Sequence, residues 1–344
     1  MLIAIELDIM EIECMTTKIP VFKSNEEIVN LDSQRKVLID GDIFRYQMGA
    51  IQMRHPFLDE LVPAETSVIT RMVDDLIVSI CNACGSTNYI IFLSGKNNFR
   101  NEVAKQVKYK GNRNPNQTRP YHFDTVGDHL EKNHPFKFID GKEADDEMGS
   151  TQREDFLIHM KDYLVDVDML NYIIASRDKD LRTVPGLHYS WACGKDQPEK
   201  PLYYIPVDKA KHMFFYQMLI GDNTDNIMGC GVKLMTKWGF EKDEAGEFLL
   251  TDEGKKIPHM MLRRKGVGDK TALKILAKCK TVRDMKAAVT EEYKKVFKED
   301  FEEIMLENAK LLYIGQEPDN QFNWSWIDYA LDCINTNYED TPND

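Results

Sequence analysis

Residues 143–147 read EADDE, four carboxylates in five positions with Ala144 the single interruption. Like charges this close repel, so the crowding calls for a proton, a cation, or a geometry that parts the side chains. FKFI (136–139) before them has strand character and 144–163 after them has helix character. The acids Glu143, Asp145 and Asp146 therefore stand at a strand-to-helix junction. The pattern recurs: VLIDGD ends in Asp40 and Asp42, IIASRDKD delivers Asp178 and Asp180, and GDNTDN adds Asp222 and Asp225 after a helix-like stretch. In parallel α/β sheets ligands bind at the carboxyl ends of strands, so acids from several strand ends can meet in one pocket. Oxygen-only donors, with no His or Cys in these motifs, favour Mg²⁺ or Mn²⁺ over zinc. Two such ions roughly 3.5–4 Å apart can clamp a phosphodiester and generate a hydroxide nucleophile. One acid pair would be ordinary turn chemistry; four clusters weigh toward metal binding over surface loops.

The elements that must position these acids are legible as short apolar runs. Strands are expected at 36–40, 88–93, 136–139, 171–176 and 187–192, with helices at 66–84, 120–133 and 144–163 between them. That alternation predicts an α/β domain around a mostly parallel sheet. Beyond residue 208 strand signals vanish and helices are expected at 208–220, 269–278, 281–288 and 290–313. The division is an N-terminal leader over 1–30, an α/β domain over 31–207, a helical domain over 208–318 with a surface insertion at about 230–262, and a polar tail over 319–344. Met15 followed by TTKIP reads as a second start, so residues 1–14 are expected to be dispensable.

Composition bounds the setting. A 42% hydrophobic and 29% charged chain fits a soluble globular protein, and no apolar run approaches the roughly 20 residues of a membrane span. Seven scattered cysteines point to free thiols and a reducing cytoplasm. Cys81 and Cys84 form a CxxC with no second pair and no spaced histidines, so two buried thiols on a helix are favoured over zinc.

The net charge of −13 opposes nucleic-acid binding at face value, but the charge is uneven. Residues 96–119 carry seven Lys/Arg against one acid, and 255–286 carry eleven against two. In the first stretch Arg100, Lys108, Lys110 and Arg113 could hold a phosphate or steady its transition-state charge. In the second, Lys265, Gly266, Gly268, Lys270 and Thr271 lie in RRKGVGDKTALKIL, where a Gly-apolar-Gly turn opens a helix and turns backbone N–H groups toward a phosphate. Two solvated faces are the plainer reading of such runs.

In order along residues 36–313, VLIDGD, FRNEV…YKGNR, EADDEMG, SRDKDLRTVPG, GDNTDNIMG and KGVGDKTALKIL resemble the 5′-nuclease (flap endonuclease) superfamily, and most of all its bacteriophage 5′→3′ exonucleases. The resemblance implies a PIN-like three-layer α/β domain with a mostly parallel central sheet, followed by a helical helix–three-turn–helix DNA-binding domain. It implies 5′→3′ exonuclease activity, with flap endonuclease and RNase H activity as further members of the set, by a two-metal mechanism serving phage DNA replication, primer removal or host DNA degradation. Asp40, Glu143, Asp145, Asp146, Asp178, Asp180 and Asp225 match metal ligands or their supports, with Asp222 the weaker member of its pair. Lys110 and Arg113 match catalytic cations, with Asp145 and Asp178 catalytic beside them. Tyr46 matches an aromatic that stacks on the nucleotide near the cut, though packing against the core explains it equally well. Gly266 and Gly268 match a duplex-holding hairpin whose carbonyls can also hold K⁺. The implied cofactors are two Mg²⁺ or Mn²⁺ ions. The implied partners are duplex DNA or an RNA/DNA hybrid with a 5′ end, together with replication proteins such as a single-stranded DNA-binding protein, acting on a monomer away from membranes.

Two departures stand out. Relatives carry a metal-associated Asp after the second strand, where this chain has Leu93 and Ser94, so Asp42 or a water bridged by Ser94 is expected to compensate. The hairpin is also displaced by residues 230–262. Two rival readings stay open: a haloacid-dehalogenase-type phosphatase with Asp40 as nucleophile, and a catalytically weakened DNA-binding relative.

Overall fold

The structure, a computed structural model, describes residues 34–328 apart from 56, 58–59, 114–117, 162–163, 195 and 244–245. The expected leader and the far end of the expected tail lie outside the described residues. The described chain divides into two compact units. One holds residues up to 100, then 113–211 and 313–322; the other holds 101–112, 212–312 and the segment from 323.

In the first unit β1 (Lys36–Asp40) runs into α1 (Gly41–Gln47), a small hairpin β2 (Gln52–Arg54) and β3 (Leu61–Pro63), α2 (Thr66–Ala83), and β4 (Asn88–Ser94). A short helix α3 (Arg100–Val103) crosses the division of the chain. Then come α4 (Phe123–Asn133), β5 (Phe136–Ile139), α5 (Ala144–His159), the short pair β6 (Met160–Lys161) and β7 (Leu164–Val165), β8 (Tyr172–Ala175), β9 (Gly186–Ser190) and β10 (Lys200–Ile205). The main sheet has the order β10-β9-β8-β1-β4-β5. Every pairing in it is parallel except β10 with β9, an edge strand absent from the expectation.

The central strands read as unbroken apolar runs because both sheet faces are covered. Val37 and Ile39 of β1 pack with Ile91, Leu93, Ile173 and Ala175 against Ile69, Val73, Ile77 and Ile80 of α2 and Val126 and Leu130 of α4. Leu38, Phe92 and Ile174, one residue out of phase, face Ala144 and Met148 of α5 together with Ile314. This is the expected three-layer α/β arrangement. The spacing of Ile69, Val73, Ile77 and Ile80 is that of one helix face, which is why α2 buries it. Cys81 and Cys84 are both buried and free, and burial pushes the Cys81 thiol up to about 11, as the helix reading anticipated.

In the second unit α6 (Val207–Ile220), which also crosses the division, leads to β11 (Gly231–Phe240), β12 (Pro258–Gly266), α7 (Asp269–Leu276), α8 (Val282–Phe297) and α9 (Phe301–Leu312), with a final turn α10 (Ser325–Asp328). The helical character holds, but strand structure does not vanish. The expected insertion is a two-stranded antiparallel hairpin, β11 on β12, registered from Gly231 opposite Gly266 to Phe240 opposite Pro258. The break expected near residue 289 also moves. Thr290 returns its hydroxyl to the carbonyl of Lys286 at 2.8 Å and stays helical. α8 instead begins at a reciprocal Thr281–Asp284 cap and ends at Lys298, whose φ of +55° no helix can continue. No helix among the described residues is long and apolar enough to cross a membrane.

Candidate metal centre

The carboxyl ends of β1, β4, β5 and β8 deliver the acids of the first unit. Asp40 closes β1 and starts α1; its Oδ2 accepts the Ser176 hydroxyl at 2.8 Å. Burial first, then repulsion from Asp42, pushes its carboxyl up to about 7, with Asp178 adding to the push. Asp42 accepts the backbone N–H of Ser94 at 3.1 and 3.3 Å, and burial raises its carboxyl too, with Glu143 contributing repulsion. Asp42 thus comes to the end of β4, where the expected Asp is missing. The Ser94 hydroxyl meanwhile accepts from the backbone N–H of Ala144 at 2.9 Å, which ties β4 to the start of α5.

The EADDE run separates into four environments. Glu143 caps α5 from outside it. Asp145 is driven well above the usual carboxylate range by burial, then by Asp146 and Glu143, with Asp178 adding to the repulsion and Arg100 opposing it. Its Oδ1 is buried with no hydrogen-bond partner, the one such carboxylate oxygen among the described residues. Asp146 is fully buried and receives the Arg100 guanidinium as a fork, at 2.5 and 2.9 Å, with the Gly315 N–H at 3.0 Å. Glu147 turns away to Lys142 at 2.7 Å and to Lys137. Alternation along the first helical turn aims neighbouring side chains at different partners, which answers how the run tolerates its own charge.

This corrects one expectation. Arg100 is 1% exposed and committed to Asp146 and to the Tyr313 carbonyl at 3.1 Å, so it is a buried positioning group and not a DNA-facing cation. Asp146 spends both oxygens on that arginine and on backbone, which is the supporting place among the two the resemblance allowed it. Asp178 is exposed, and its Oδ1 accepts the Asp180 N–H at 2.8 Å; Asp180 lies 3.9 Å from Lys179.

Asp222 and Asp225 belong to the second unit. Asp222 is 1% exposed, and its Oδ1 accepts the N–H groups of Thr224 at 2.6 Å and Asp225 at 3.2 Å, so it builds its own turn. The turn closes on Gly221, at φ +72°, where a Cβ would stand 2.2 Å from the Ile227 carbonyl oxygen. Asp225 accepts the Tyr109 hydroxyl at 2.7 Å and lies 3.6 Å from the Lys110 ammonium. The carbonyl of Asp225 takes the Lys110 N–H at 2.9 Å, and the carbonyl of Lys108 takes the Asn226 amide at 2.7 Å. The basic segment and the GDNTDN turn are thus stitched together, with Lys110 at φ +53°. Lys108 and Arg113 are exposed.

Lys265 is exposed near the end of β12, Gly268, Lys270 and Thr271 are exposed at the start of α7, and Gly268 caps that helix. Gly266 has another reason to be glycine: it ends β12 opposite Gly231, and a Cβ there would stand 2.3 Å from the Cys230 carbonyl oxygen. Tyr46 is 47% exposed and leans edge-on against Phe123 at 5.0 Å between centroids, combining packing with an open face.

Asp40, Asp42 and Asp145 have carboxyls held above their usual range and one enclosed oxygen with nothing to bind, which fits a divalent oxygen-loving cation, although among the described residues no three of the strand-end acids bring ligand oxygens within 4.8 Å of one another. Sequence reasoning missed a different group. Among the described residues, Asp74, His129 and His134 are the trio of acid and histidine side chains whose ligand atoms all lie within 4.8 Å of one another. Its histidines are five residues apart, but the acid is 55 residues upstream, beyond the reach of any local motif.

No protein-family model matches the chain, and no curated protein matches it. Among solved structures the chain is similar to a bacteriophage T5 protein co-crystallised with metal ions, at 17% identity over 81% of this chain and 89% of that one, with a TM-score of 0.46. It is also similar to the bacteriophage T5 flap endonuclease in a pseudo-enzyme–product complex with DNA and metal ions, at 16% identity over 81% and 99% of the two chains and a TM-score of 0.42. A third is the T5 5′-exonuclease with zinc bound, at 16% identity over 81% and 100%, TM-score 0.42.

Proposed function

We propose that this chain is a metal-dependent nuclease that hydrolyses phosphodiester bonds from the 5′ end of duplex DNA or an RNA/DNA hybrid. The observation that carries the reading is the Asp145 oxygen, enclosed and without a partner on a carboxylate that feels Asp146, Glu143 and Asp178. An oxygen so placed loses its hydration without compensation, a cost that a bound cation removes. Asp40, Asp42, Glu143, Asp145, Asp178 and Asp180 are the residues of the first unit that would hold it. Bound there, Mg²⁺ or Mn²⁺ supplies Lewis acidity to the phosphoryl group and lowers the pKa of water.

The protein's own part is to position. Ser176 fixes Asp40, Ser94 fixes Asp42, and Arg100 with Asp146 locks the first turn of α5, which carries Asp145. From the resemblance, Lys110 and Arg113 keep the assignment of phosphate-steadying cations, and Lys265, Lys270 and the start of α7 that of a sequence-independent backbone contact. Asp225, hydrogen-bonded to Tyr109, orients Lys110 in this reading. A 5′→3′ direction, flap cleavage and RNase H activity, and a role in phage replication or primer removal, belong to the same proposal.

The phosphatase reading fares worse. A phosphatase leaves the locked EADDE turn, the Lys110–Arg113 segment and the glycine turn before α7 without a task. The test is a 5′-labelled duplex incubated with Mg²⁺ and, in parallel, with EDTA. Short 5′ products with the metal alone support the proposal. No release with Mg²⁺ or Mn²⁺ contradicts it and favours the DNA-binding reading, and turnover of small phosphomonoesters without DNA favours the phosphatase.

A further inference from the structure

Asp74 projects from the middle of α2, His129 from the last turns of α4, and His134 from the first residue beyond α4. At His134 the backbone swings to an extended conformation, with φ −128° and ψ 155°, and heads for β5. That swing returns the ring toward His129, to 5.4 Å between centroids. Both imidazoles direct Nε2 at the same Asp74 oxygen, at 2.6 Å from His129 and 2.9 Å from His134. The two rings are largely covered, 14% and 10% exposed, while the Asp74 carboxylate is 47% exposed. The trio is therefore walled by protein on the imidazole side and open to solvent on the carboxylate side.

The far side of each ring is also engaged. Nδ1 of His134 meets the Tyr89 hydroxyl at 2.9 Å, and Nδ1 of His129 meets the Asn133 side-chain amide at 3.1 Å. Outer partners of this kind fix ring orientation and tautomer at metal-binding histidines. Two Nε2–H groups sharing one carboxylate oxygen is an adequate hydrogen-bonded cluster. Two Nε2 lone pairs and a carboxylate oxygen facing one point, with an open fourth position, is the donor set of a zinc-type ion. Conversion between the two needs only that each ring proton move from Nε2 to Nδ1. At His134 the Tyr89 oxygen accepts it after the hydroxyl rotates; at His129 the Asn133 amide accepts it after presenting its oxygen. In a tetrahedron with bonds of about 2.0–2.1 Å the ligand atoms stand about 3.3 Å apart, so the nitrogen–oxygen distances must open by about 0.7 Å at His129 and about 0.4 Å at His134, a side-chain adjustment of the half-exposed Asp74.

We propose that Asp74, His129 and His134 form a second cation site, selective for a borderline transition ion of the zinc type over Mg²⁺, that staples α2 to α4. It is chemically distinct from the acid pocket, because imidazole nitrogens discriminate against magnesium where carboxylates do not. It is also placed apart from it. Tyr89 and His134 lie at the amino-terminal ends of β4 and β5, whereas the acids lie at the carboxyl ends of the strands. An ion here steadies the fold and takes no part in phosphodiester chemistry, so the inference does not rest on the nuclease reading.

The test uses the full chain, stripped of metal and then saturated with Mg²⁺ to occupy the acids. Zinc is added, and zinc retained through desalting and the shift in Tm are both measured. The wild-type chain and an Asp145→Asn variant are expected to retain about one zinc each and to gain several degrees. A His129→Gln/His134→Gln variant is expected to lose both the zinc and the gain. Tyr89→Phe, which removes one hydroxyl and leaves all three ligands, is expected to fold normally and bind zinc about tenfold more weakly. Zinc retention unchanged by the histidine pair or by Tyr89→Phe overturns the proposal, as does a wild-type chain that retains none. Loss of zinc in Asp145→Asn instead assigns the ion to the acid pocket and equally overturns it.

Discussion

Asp145 in the first unit and Asp222 in the second each belong to a short acidic run and each has an enclosed Oδ1, yet the two oxygens meet different company. Asp222 turns its Oδ1 onto the N–H groups of Thr224 and Asp225 two and three residues ahead, so its charge is answered by its own backbone. Asp145 has an Oδ1 with no donor at all and is surrounded by Asp146, Glu143 and Asp178. On the proposed reading, what separates a structural aspartate from a metal ligand is whether the fold supplies the donors. Acid density along the chain does not tell them apart, and Asp146, one residue from Asp145, makes the same point through Arg100.

The largest effect that could break this comparison is catalytic. Asp145→Asn should lower release of 5′ products by roughly 10²–10³-fold or more, comparable to the loss of a single charge-stabilising group in an active site, while duplex affinity stays within a fewfold. Near-normal turnover would return Asp145 to the structural class. Next is the buried pair. Arg100→Met leaves Asp146 charged, enclosed and unmatched, and should cost about 3–5 kcal/mol in urea denaturation; a loss under ~1 kcal/mol would mean that the fork onto Asp146 holds nothing together.

Much of this division was legible in the sequence, and its limits are physical. The strands carrying Asp40, Glu143 and Asp178 were readable because a two-sided parallel sheet demands uninterrupted apolar runs, and those runs give their boundaries away. That acids stand at the carboxyl ends of strands followed from strand direction alone. The fate of each acid did not, since it depends on partners far off in the chain: Arg100 for Asp146, Ser94 for Asp42, Tyr109 for Asp225. The β11–β12 hairpin was missed because a two-stranded ribbon interrupted by charged residues, Lys237 and Lys265 exposed among them, lacks the apolar alternation of a core strand. The Asp74–His129–His134 group was invisible for the same long-range reason.

A third effect sharpens the comparison through pH. The Asp40 carboxyl is raised in the folded chain from 3.8 to about 7, so its protonated form is the favoured one. Its stability contribution is complete below about pH 4 and is lost as pH rises through 7. In metal-free buffer Asp40→Asn should match the wild type near pH 4 and exceed it near pH 8, by up to about 4 kcal/mol from a shift of that size. Mg²⁺ should close the gap, because a bound cation restores the ionised carboxylate. A gap that is absent, or that Mg²⁺ leaves untouched, would show Asp40 to be an ordinary buried acid. The smallest effect is at the turn. Asp222→Ala strips acceptors from two N–H groups and should cost about 2 kcal/mol in urea denaturation, and Asp222→Asn, which keeps an oxygen acceptor, should retain turnover within a fewfold. Collapse of turnover in Asp222→Asn would move that aspartate to the ligand class.

The account is tested most directly by anomalous diffraction from crystals of the full chain grown with Mn²⁺. It predicts manganese density bonded to the oxygens of Asp145 and Asp40, and none at the Asp222 carboxylate. Crystals with full manganese occupancy elsewhere and no density at Asp145 would contradict it.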